Sequence, residues 1–354
     1  MGNGNLKGGM HIHLEKFNFS PGDEVVGVVY LYLRESSPPG NLCLIFQGTE
    51  QTRWKQSNRK YFGNHPVCEY RFVLKNFREN ITHNGVKVPF CFKLPYELPG
   101  SFVYGGLEDT AQVVYNLTAE FQNQNSGFLS NSTEVCILEN SQPFLATEAT
   151  ASIQGLCCFS KGSVSFNLTT DKDYYTSEDL VTVKAHIDNS KSKSSITRTK
   201  LRLHRNLVFR DRSGNPKFET QCLLENYAEG VKAKEQGTAE IDLEIRAIKE
   251  IFAEMYSTEG YLVQCKYFVE AILELEGSAF SSSQFPTLEK IIPIHPVPNQ
   301  KKPLPSKPSD WNPLEVPKVL LETSSQGKPQ ENTCNSETNR QTNAFDLSFT
   351  KLGY

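Results

Sequence analysis

The sequence lacks an apolar stretch long enough to cross a membrane. Its longest apolar run, Val25 to Leu33, has nine residues, about half of the ~20 that a membrane-spanning helix needs. The first residues also lack the apolar core of a secretory signal, so we expect a cytosolic chain. Gly2 would suit myristoylation, but Leu6 stands where that signal has Ser or Thr, which favours a plain flexible terminus.

An excess of charge of one sign is also missing. The chain of 354 residues has 37 Lys and Arg against 40 Asp and Glu, for a formal net charge of -3. Nucleic-acid-binding domains usually carry a strongly basic face, so this balance argues against that class of partner. The nine cysteines follow no short repeating spacing, which favours reduced thiols over a disulfide framework.

Motifs of catalysis and cofactor binding are absent as well. The glycines near the N-terminus do not follow a strand, and no G-x-S-x-G or H-E-x-x-H pattern occurs. His11 and His13 would share one strand face, but no third metal ligand is identifiable. We therefore expect no catalytic residue, no cofactor and no metal site, with a hydrolase or metal-dependent enzyme on a β-sandwich left as an alternative.

What the sequence does contain is alternation of apolar and polar residues, from residue 11 to about residue 290. Apolar residues occupy every second position in segments 88–94, 113–121, 164–168 and 181–187. Segment 26–32 is apolar on both faces, as in a central strand. Many short strands separated by turns predict β-sandwiches.

One segment departs from this period. Ile248, Ile251, Phe252 and Met255 are spaced by three and four residues. This spacing predicts a short helix.

The sequence also repeats itself over a long period. Segment 19–25 aligns with segment 175–181 at an offset of 156 residues, and segment 113–117 aligns with segment 264–269 at an offset of about 152. Two copies in the same order predict two similar domains of ~140 residues each, joined near residues 139–155.

The end of the chain has a different composition. Eight of the 19 prolines lie in the last 59 residues, among many Ser, Asn, Gln and Thr, and such a composition is typical of disorder. The predicted organisation is a flexible N-terminus over 1–9, a first sandwich over 10–140, a linker over 141–154, a second sandwich over 155–295, and a disordered tail over 296–354.

Several motifs resemble those of the arrestin-domain-containing proteins, the α-arrestins. The first half carries Ser-Pro-Gly-Asp-Glu-Val-Val-Gly at 20–27 and Pro-Phe-Cys-Phe-Lys-Leu-Pro-Tyr-Glu-Leu-Pro-Gly-Ser-Phe at 89–102. The second half opens on Cys157-Cys158, with Gly162 and Val164 after them. The resemblance extends over roughly residues 10–295.

The resemblance implies an all-β fold of two tandem antiparallel immunoglobulin-like sandwiches in an arrestin-like arrangement. It implies a non-enzymatic adaptor that binds the cytosolic segments of membrane proteins and directs their endocytosis, sorting or ubiquitin-dependent trafficking. Such a protein would be cytoplasmic and peripheral at the plasma membrane or endosomes. The same fold in a retromer-type coat subunit is the alternative.

A row of cations on one strand is the first candidate for partner binding. Arg198, Lys200, Arg202 and His204 occupy alternate positions, so they share one face of a strand. Such a row would suit phosphates on a receptor tail or an anionic lipid surface. The acidic strand around Glu240 has the opposite pattern, and pairing with it would neutralise the row, which is the reading we favour.

A second candidate is a basic loop around Trp54. It contains Arg53, Lys55, Arg59 and Lys60 and has no comparable acidic segment. A solvated loop is the simpler interpretation.

The tail supplies a third candidate. Lys302, Pro305 and Pro308 fit a basic residue followed by a PxxP motif, which grooves of the SH3 type bind in the polyproline form. Arrestin-domain relatives often carry Pro-Pro-x-Tyr in this region and recruit WW-domain ubiquitin ligases with it. This tail has no such motif, so recruitment of ubiquitin-ligase machinery by that route is left open.

Overall fold

The computed structural model describes residues 6–106, 108–140, 148–154, 160–276, 285–297 and 311–323. These residues form strands and one short 3-10 helix. None of the helical residues among them makes a segment long and apolar enough to cross a membrane.

The first sandwich consists of two facing sheets. Its strands are β1 Gly8–Leu14, β2 Asn18–Phe19, β3 Glu24–Leu33, β4 Gly40–Gln56, β5 Arg59–Phe77, β6 Gly85–Lys93, β7 Phe102–Gly105, β8 Thr110–Asn123 and β9 Phe128–Ile137. One sheet has the order β1-β3-β6, and the other has the order β2-β9-β8-β4-β5 with β7 beside β8. Apart from the parallel pair β2–β9, these strands pair antiparallel.

The second sandwich follows the same plan. Its elements are β10 Glu148–Gln154, β11 Ser160–Thr170, β12 Tyr175–Thr176, β13 Val181–Asp188, β14 Ile196–Arg210, β15 Pro216–Glu229, β16 Gln236–Leu243, the 3-10 helix Ile245–Phe252, β17 Thr258–Glu259, β18 Val263–Leu275, β19 Thr287–Ile291 and β20 Ile294–His295. One sheet has the order β10-β11-β13-β16, and the other has the order β15-β14-β18-β17 with β19 beside β18. A short parallel pair joins β12 to β20.

The apolar alternation in the sequence produces the two cores. Successive side chains of a strand point to opposite faces, and in β8 every second residue from Ala111 to Asn123 is buried. Phe46 of the neighbouring strand β4 stacks on Tyr115 at 5.8 Å and tilts against Phe92 of the facing sheet at 5.6 Å. Full burial of one such side chain contributes about 1.5–3 kcal/mol. The prediction of tandem β-sandwiches is confirmed.

The internal repeat is confirmed at the level of single contacts. Phe19 pairs with Ile137 in a parallel bridge, and Tyr175 pairs with Ile294 in the corresponding bridge. In both copies an aspartate closes the following turn, because Asp23 accepts the amide of Ser20 at 2.8 Å and Asp179 accepts that of Thr176 at 2.6 Å. The two sandwiches are therefore two versions of one building plan.

Two predicted boundaries differ from the structure. Residues 148–154, predicted as linker, form the edge strand β10 and pair with β11. The predicted helix exists, but it spans Ile245–Phe252 as a 3-10 helix with a non-helical backbone at Ile248. Met255 lies beyond its end, where its sulfur contacts Arg205.

The tail is ordered over part of its length, which corrects the expectation of disorder from residue 296 onward. Residues 311–323 contain β21 Leu314–Glu315 and β22 Val319–Leu321, and both pair in parallel with β6. The physical reason is an open sheet edge, whose unpaired backbone groups accept another strand. The predicted disorder of 298–310 and 324–354 lies outside the described residues.

Candidate functional site

The predicted row of cations lies on β14, in the middle of its sheet between β15 and β18. Each cation contacts a carboxylate on a neighbouring strand. The contacts are Arg198 with Glu274 at 2.7 Å, Lys200 with Glu225 at 3.3 Å and with Glu274 at 3.4 Å, Arg202 with Glu225 at 2.7 Å and with Glu270 at 3.8 Å, and His204 with Glu270 at 3.0 Å. Three carboxylates thus balance three permanent cations on this face.

The ion pair between Arg202 and Glu225 shifts the pKa values of both its members. The hydrogen bond from Arg202 lowers the pKa of Glu225 below its usual range, and the same bond raises the pKa of Arg202. Both groups therefore stay charged at neutral pH, and each neutralises the charge of the other. A partner that binds this row has to displace carboxylates that already occupy it.

The acidic strand that we expected beside this row lies elsewhere. Strand β16 pairs with β13, so Glu240 lies opposite Lys184 and contacts it at 3.0 Å. The expected pairing is wrong, while the expected kind of interaction occurs with other residues. Pairing across a sheet depends on long-range topology, which charge alternation alone does not specify. The row's role in partner binding stays a prediction.

The predicted basic loop is the tip of the β4–β5 hairpin. Ser57 and Asn58 form its two-residue turn, with positive φ angles of 47° and 64°, as a type I′ turn requires. Lys55 contacts Glu108 at 3.1 Å. The side chains of Arg53, Arg59 and Lys60 are exposed and make no ion pair or hydrogen bond with any described residue.

The predicted motif in the tail falls in the part of the chain that the structure does not describe. This applies to Lys302, Pro305 and Pro308. Their binding to domains of the SH3 type stays a prediction.

Sequence reasoning missed the junction between the sandwiches, where Glu50 is the central residue. The residue is 1% exposed, and its carboxylate accepts the backbone amides of Tyr261 at 2.9 Å, Leu262 at 2.6 Å and Val263 at 3.1 Å. Gly260 allows this approach, because a Cβ atom there would lie 2.7 Å from the carboxylate. One side chain of the first sandwich thereby binds three amides of the second.

A second carboxylate bridges the same junction. Glu139 accepts the amides of Gly100 and Glu259, each at 3.0 Å. Burial raises the pKa of this carboxyl above its ordinary value, and the two amide hydrogen bonds oppose that effect. Gly100 also accepts the hydroxyl of Thr258 through its carbonyl at 2.8 Å.

The far side of the junction is held by different contacts. The amide of Val103 donates to the carbonyl of Glu254 at 2.7 Å, Tyr104 packs on Phe209 with 5.3 Å between ring centroids, and Lys217 pairs with Asp109. The junction is therefore hydrogen-bonded at several points. This arrangement fixes the relative position of the two sandwiches.

The edge of β6 is a second feature that the sequence did not reveal. Trp311 lies against Tyr30 and Tyr32, with centroid distances of 6.4 and 6.1 Å. Gly85 makes room for it, since a Cβ atom there would lie 2.2 Å from the indole. Farther along, Lys87 pairs with Glu315 at 3.1 Å.

One signal in the sequence could have revealed the junction. In β4 the inward positions run through Phe46, Gly48, Glu50, Thr52 and Trp54, and all of them are buried. A carboxylate at an inward position must have hydrogen-bond partners, because burying an unpaired charge is costly. The alternation therefore marks Glu50 as a contact residue, although it does not identify the partner.

The structure shows one groove that deserves comparison with an active site. It has a volume of about 520 Å³ and is lined by polar residues of the β10-β11-β13-β16 sheet, among them Asn167, His186 and Asp188. His186 lies between the hydroxyls of Thr169 and Thr238, at 3.3 and 3.1 Å. Within the described residues, no group of three or more His, Cys, Asp or Glu side chains could hold a metal ion.

Comparison with protein families identifies the second sandwich. Residues 160–299 match the family model described as arrestin (or S-antigen), C-terminal domain. The second sandwich is therefore an arrestin C-terminal domain, and it stands within a fold of tandem β-sandwiches. A search of curated proteins finds no match.

Proposed function

We propose that this protein is a non-enzymatic adaptor of the α-arrestin type, which binds cytosolic segments of membrane proteins and directs their endocytosis or sorting. The observation that carries the proposal is the arrestin C-terminal domain at 160–299, joined to a first sandwich of the same plan. The α-arrestin assignment itself comes from the motifs at 20–27 and 89–102. Its place of action is the cytoplasmic face of the plasma membrane or endosomes.

The edge of β6 supports binding of extended segments. Residues 314–315 and 319–321 already add to this edge in parallel register. Addition of a strand to a sheet edge is a common way to bind an unstructured peptide, because backbone hydrogen bonds supply affinity and alternate side chains supply specificity. Cytosolic segments of membrane proteins are partners of this kind.

Other parts of the chain would bring further partners. The tail around Lys302, Pro305 and Pro308 would bind domains of the SH3 type. Recruitment of ubiquitin-ligase machinery would then pass through such a partner or through another surface, since the tail has no Pro-Pro-x-Tyr motif.

The test is proximity labelling in cells with three versions of the chain. One is full length, one ends at residue 323, and one ends at residue 294. Membrane proteins and sorting factors should be enriched with all three, because the sandwiches carry the main surface. Partners that are lost at 323 bind the tail beyond the ordered segment, and partners lost only at 294 depend on residues 295–323.

Three results would contradict the proposal. Labelling that shows no enrichment of membrane proteins over a matched cytosolic bait would contradict the proposed adaptor function. Stoichiometric co-purification with one large helical partner would favour the coat subunit instead. A hydrolase would show turnover that depends on His186 or Asp188, the polar residues of the groove.

A further inference from the structure

The tip of the β4–β5 hairpin extends beyond the sheet that supports it. Strand β8 pairs with β4 only as far as Arg53, which lies opposite Thr110. Beyond this point β4 and β5 pair only with each other, through Lys55 opposite Lys60 and the turn at Ser57 and Asn58. Within the described residues, neither strand of the tip therefore has a further neighbouring strand.

One face of the tip is fixed to the rest of the protein. Trp54 is 1% exposed and stacks on Tyr61 with 5.2 Å between ring centroids. On the same face, the hydroxyl of Thr52 donates to the carbonyl of Arg210 in the second sandwich at 2.6 Å. The hairpin is thus a rigid element.

The opposite face presents an aromatic ring among cations. Phe62 is 67% exposed, and Arg53 lies directly across from it in the pairing of β4 with β5. Cross-strand partners point to the same side of a sheet, and Lys60, two residues before Phe62, points there as well. Arg53, Lys60 and Phe62 therefore lie on the outer side of one hairpin. Arg59, one position before Lys60, points to the opposite face and extends from the tip, directly after the turn.

The second sandwich adds a further cation. The amide of Arg212, in the turn between β14 and β15, donates to the carbonyl of Phe62 at 3.1 Å. This bond places the backbone of Arg212, whose side chain is exposed, beside the backbone of Phe62. We call the group of Arg53, Arg59, Lys60, Phe62 and Arg212 the hairpin patch.

The charges of the hairpin patch differ from those of the β14 row. Every cation of the row contacts a carboxylate, whereas the four cations of the patch make no side-chain ion pair or hydrogen bond with any residue that the structure describes. The nearest such pair, Lys55 with Glu108, uses a fifth cation. The patch therefore keeps its positive charge available for an external anion.

We infer that the hairpin patch binds the surface of an anionic lipid bilayer, with Phe62 at the level of the headgroups and the four cations on the lipid phosphates and carboxylates. Basic side chains are attracted to anionic leaflets, and aromatic rings favour the interface between water and hydrocarbon. An exposed ring on a projecting hairpin suits a flat surface such as the face of a bilayer. The contact would hold both sandwiches against the membrane through one rigid junction.

This inference adds a membrane contact to the adaptor function proposed above, but it is tested without any cargo. The measurement is co-sedimentation of the full chain with vesicles of phosphatidylcholine, either alone or mixed with phosphatidylserine. The unaltered protein should bind the mixed vesicles and not the neutral ones, and added salt should weaken binding. If it binds both kinds equally or neither, the inference is wrong, whereas the proximity labelling can still succeed.

The variants locate the contact. Replacing Arg53 and Lys60 with Ala should lower the partition coefficient about 25-fold, about five-fold for each cation lost. Phe62→Ser should lower it about five-fold to ten-fold without changing the charge.

The matched control replaces Lys191 and Lys193 with Ala, two exposed cations in a loop of the second sandwich. It removes the same charge and should leave binding within two-fold, since attraction falls off within a Debye length of about 10 Å. Equal loss in the control would show attraction by overall charge and overturn the inference. Vesicle binding that survives the patch variants, or patch-dependent binding of an acidic phosphopeptide in place of vesicles, would overturn it as well.

Discussion

Tyr115 and Tyr267 show how the repeat operates at the scale of single residues. The hydroxyl of Tyr115 donates to the carbonyl of Pro99, and that of Tyr267 donates to the carbonyl of Met255, both at 2.7 Å. Burial raises the pKa of each phenol, so both hydroxyls keep their proton. Each ties the long β-strand that carries it to the segment preceding a short edge strand.

Substitution of either tyrosine by phenylalanine should have the same consequence. Tyr115→Phe and Tyr267→Phe should each lower the free energy of unfolding by about 1 kcal/mol, because each leaves a carbonyl without its donor. The two losses should add in the double variant, since the sites share no partner. Urea denaturation measures these free energies of unfolding. Tyr227→Phe is the control, because this ring is half-exposed on the surface and its substitution should change the free energy of unfolding little. Strongly unequal losses would argue against equivalent roles.

His295 provides a prediction about pH. Burial lowers its pKa below the ordinary value of 6.5, and the backbone at Glu139 offsets part of this effect. A histidine with a lowered pKa in the folded state takes up its proton more readily when unfolded. Its contribution to stability is therefore present above pH 6.5 and is lost as the pH falls below that value.

His295→Phe should remove this dependence while keeping the stack on Tyr174, whose ring centroid lies 4.8 Å away. The difference in unfolding free energy between variant and parent should be constant above about pH 7 and should grow in favour of the variant toward about pH 5. Thermal melts at several pH values measure it. A constant difference across the whole range would show that His295 titrates alike in both states.

Strands are the elements that alternation in the sequence predicts best. Segments such as 113–121 and 181–187 lie inside observed strands, because burial of one face forces apolar residues to every second position. Pairing partners are not predicted in this way. The cations of β14 were visible as a row, but their partners Glu225, Glu270 and Glu274 come from two strands that only the fold brings together.

The tail segment escaped prediction for a related reason. Strands β21 and β22 have two and three residues, too few to show a period. Pro313 lies directly before β21, and Pro317 lies between the two strands. Their structure depends on the edge of β6 and on the space above Gly85 for Trp311. A composition typical of disorder is thus compatible with order where a sheet edge supplies the partner.

Trp311→Ala should release this segment. Without the indole, residues 311–323 lose their largest apolar side chain. They keep the backbone pairing with β6, the half-buried Leu314, Val316, Val319 and Leu321, and an exposed ion pair, which is worth little. Limited proteolysis should then cut the segment about ten-fold faster, because local opening costs less. Amide exchange along β6 should rise in parallel. Leu320→Ala is the control, since Leu320 is 75% exposed, and equal proteolysis of all three proteins would contradict the role assigned to Trp311.

At the scale of the whole molecule, the sequence predicted two similar sandwiches but not how they are joined. The repeat and the apolar alternation describe the strands within each sandwich, and the structure contains these strands. The junction consists of single side chains that reach backbone groups about 100 to 200 positions away, such as Glu50 with Leu262 and Glu139 with Glu259. Such contacts have no periodic signature, so only the inward position of Glu50 indicated them.

These contacts predict that the two sandwiches unfold together. Glu50→Ala leaves the amides of Tyr261, Leu262 and Val263 without their acceptor, which should cost about 3 kcal/mol. Because the loss falls on the junction, calorimetry should show one transition for the parent and two resolved transitions for the variant. Glu50→Gln should be intermediate, since an amide oxygen in the place of Oε2 keeps two of the three bonds.

Glu240→Ala is the matched control for this experiment. It also removes one carboxylate from a strand, but that group is exposed and pairs with the exposed Lys184. The loss should therefore stay below about 1 kcal/mol, with a single transition. If the Glu50 variant also keeps a single, unshifted transition, the junction does not couple the sandwiches. If both transitions appear in the parent, the coupling is weaker than the hydrogen bonds imply, and the membrane contact of the hairpin patch would orient only the first sandwich.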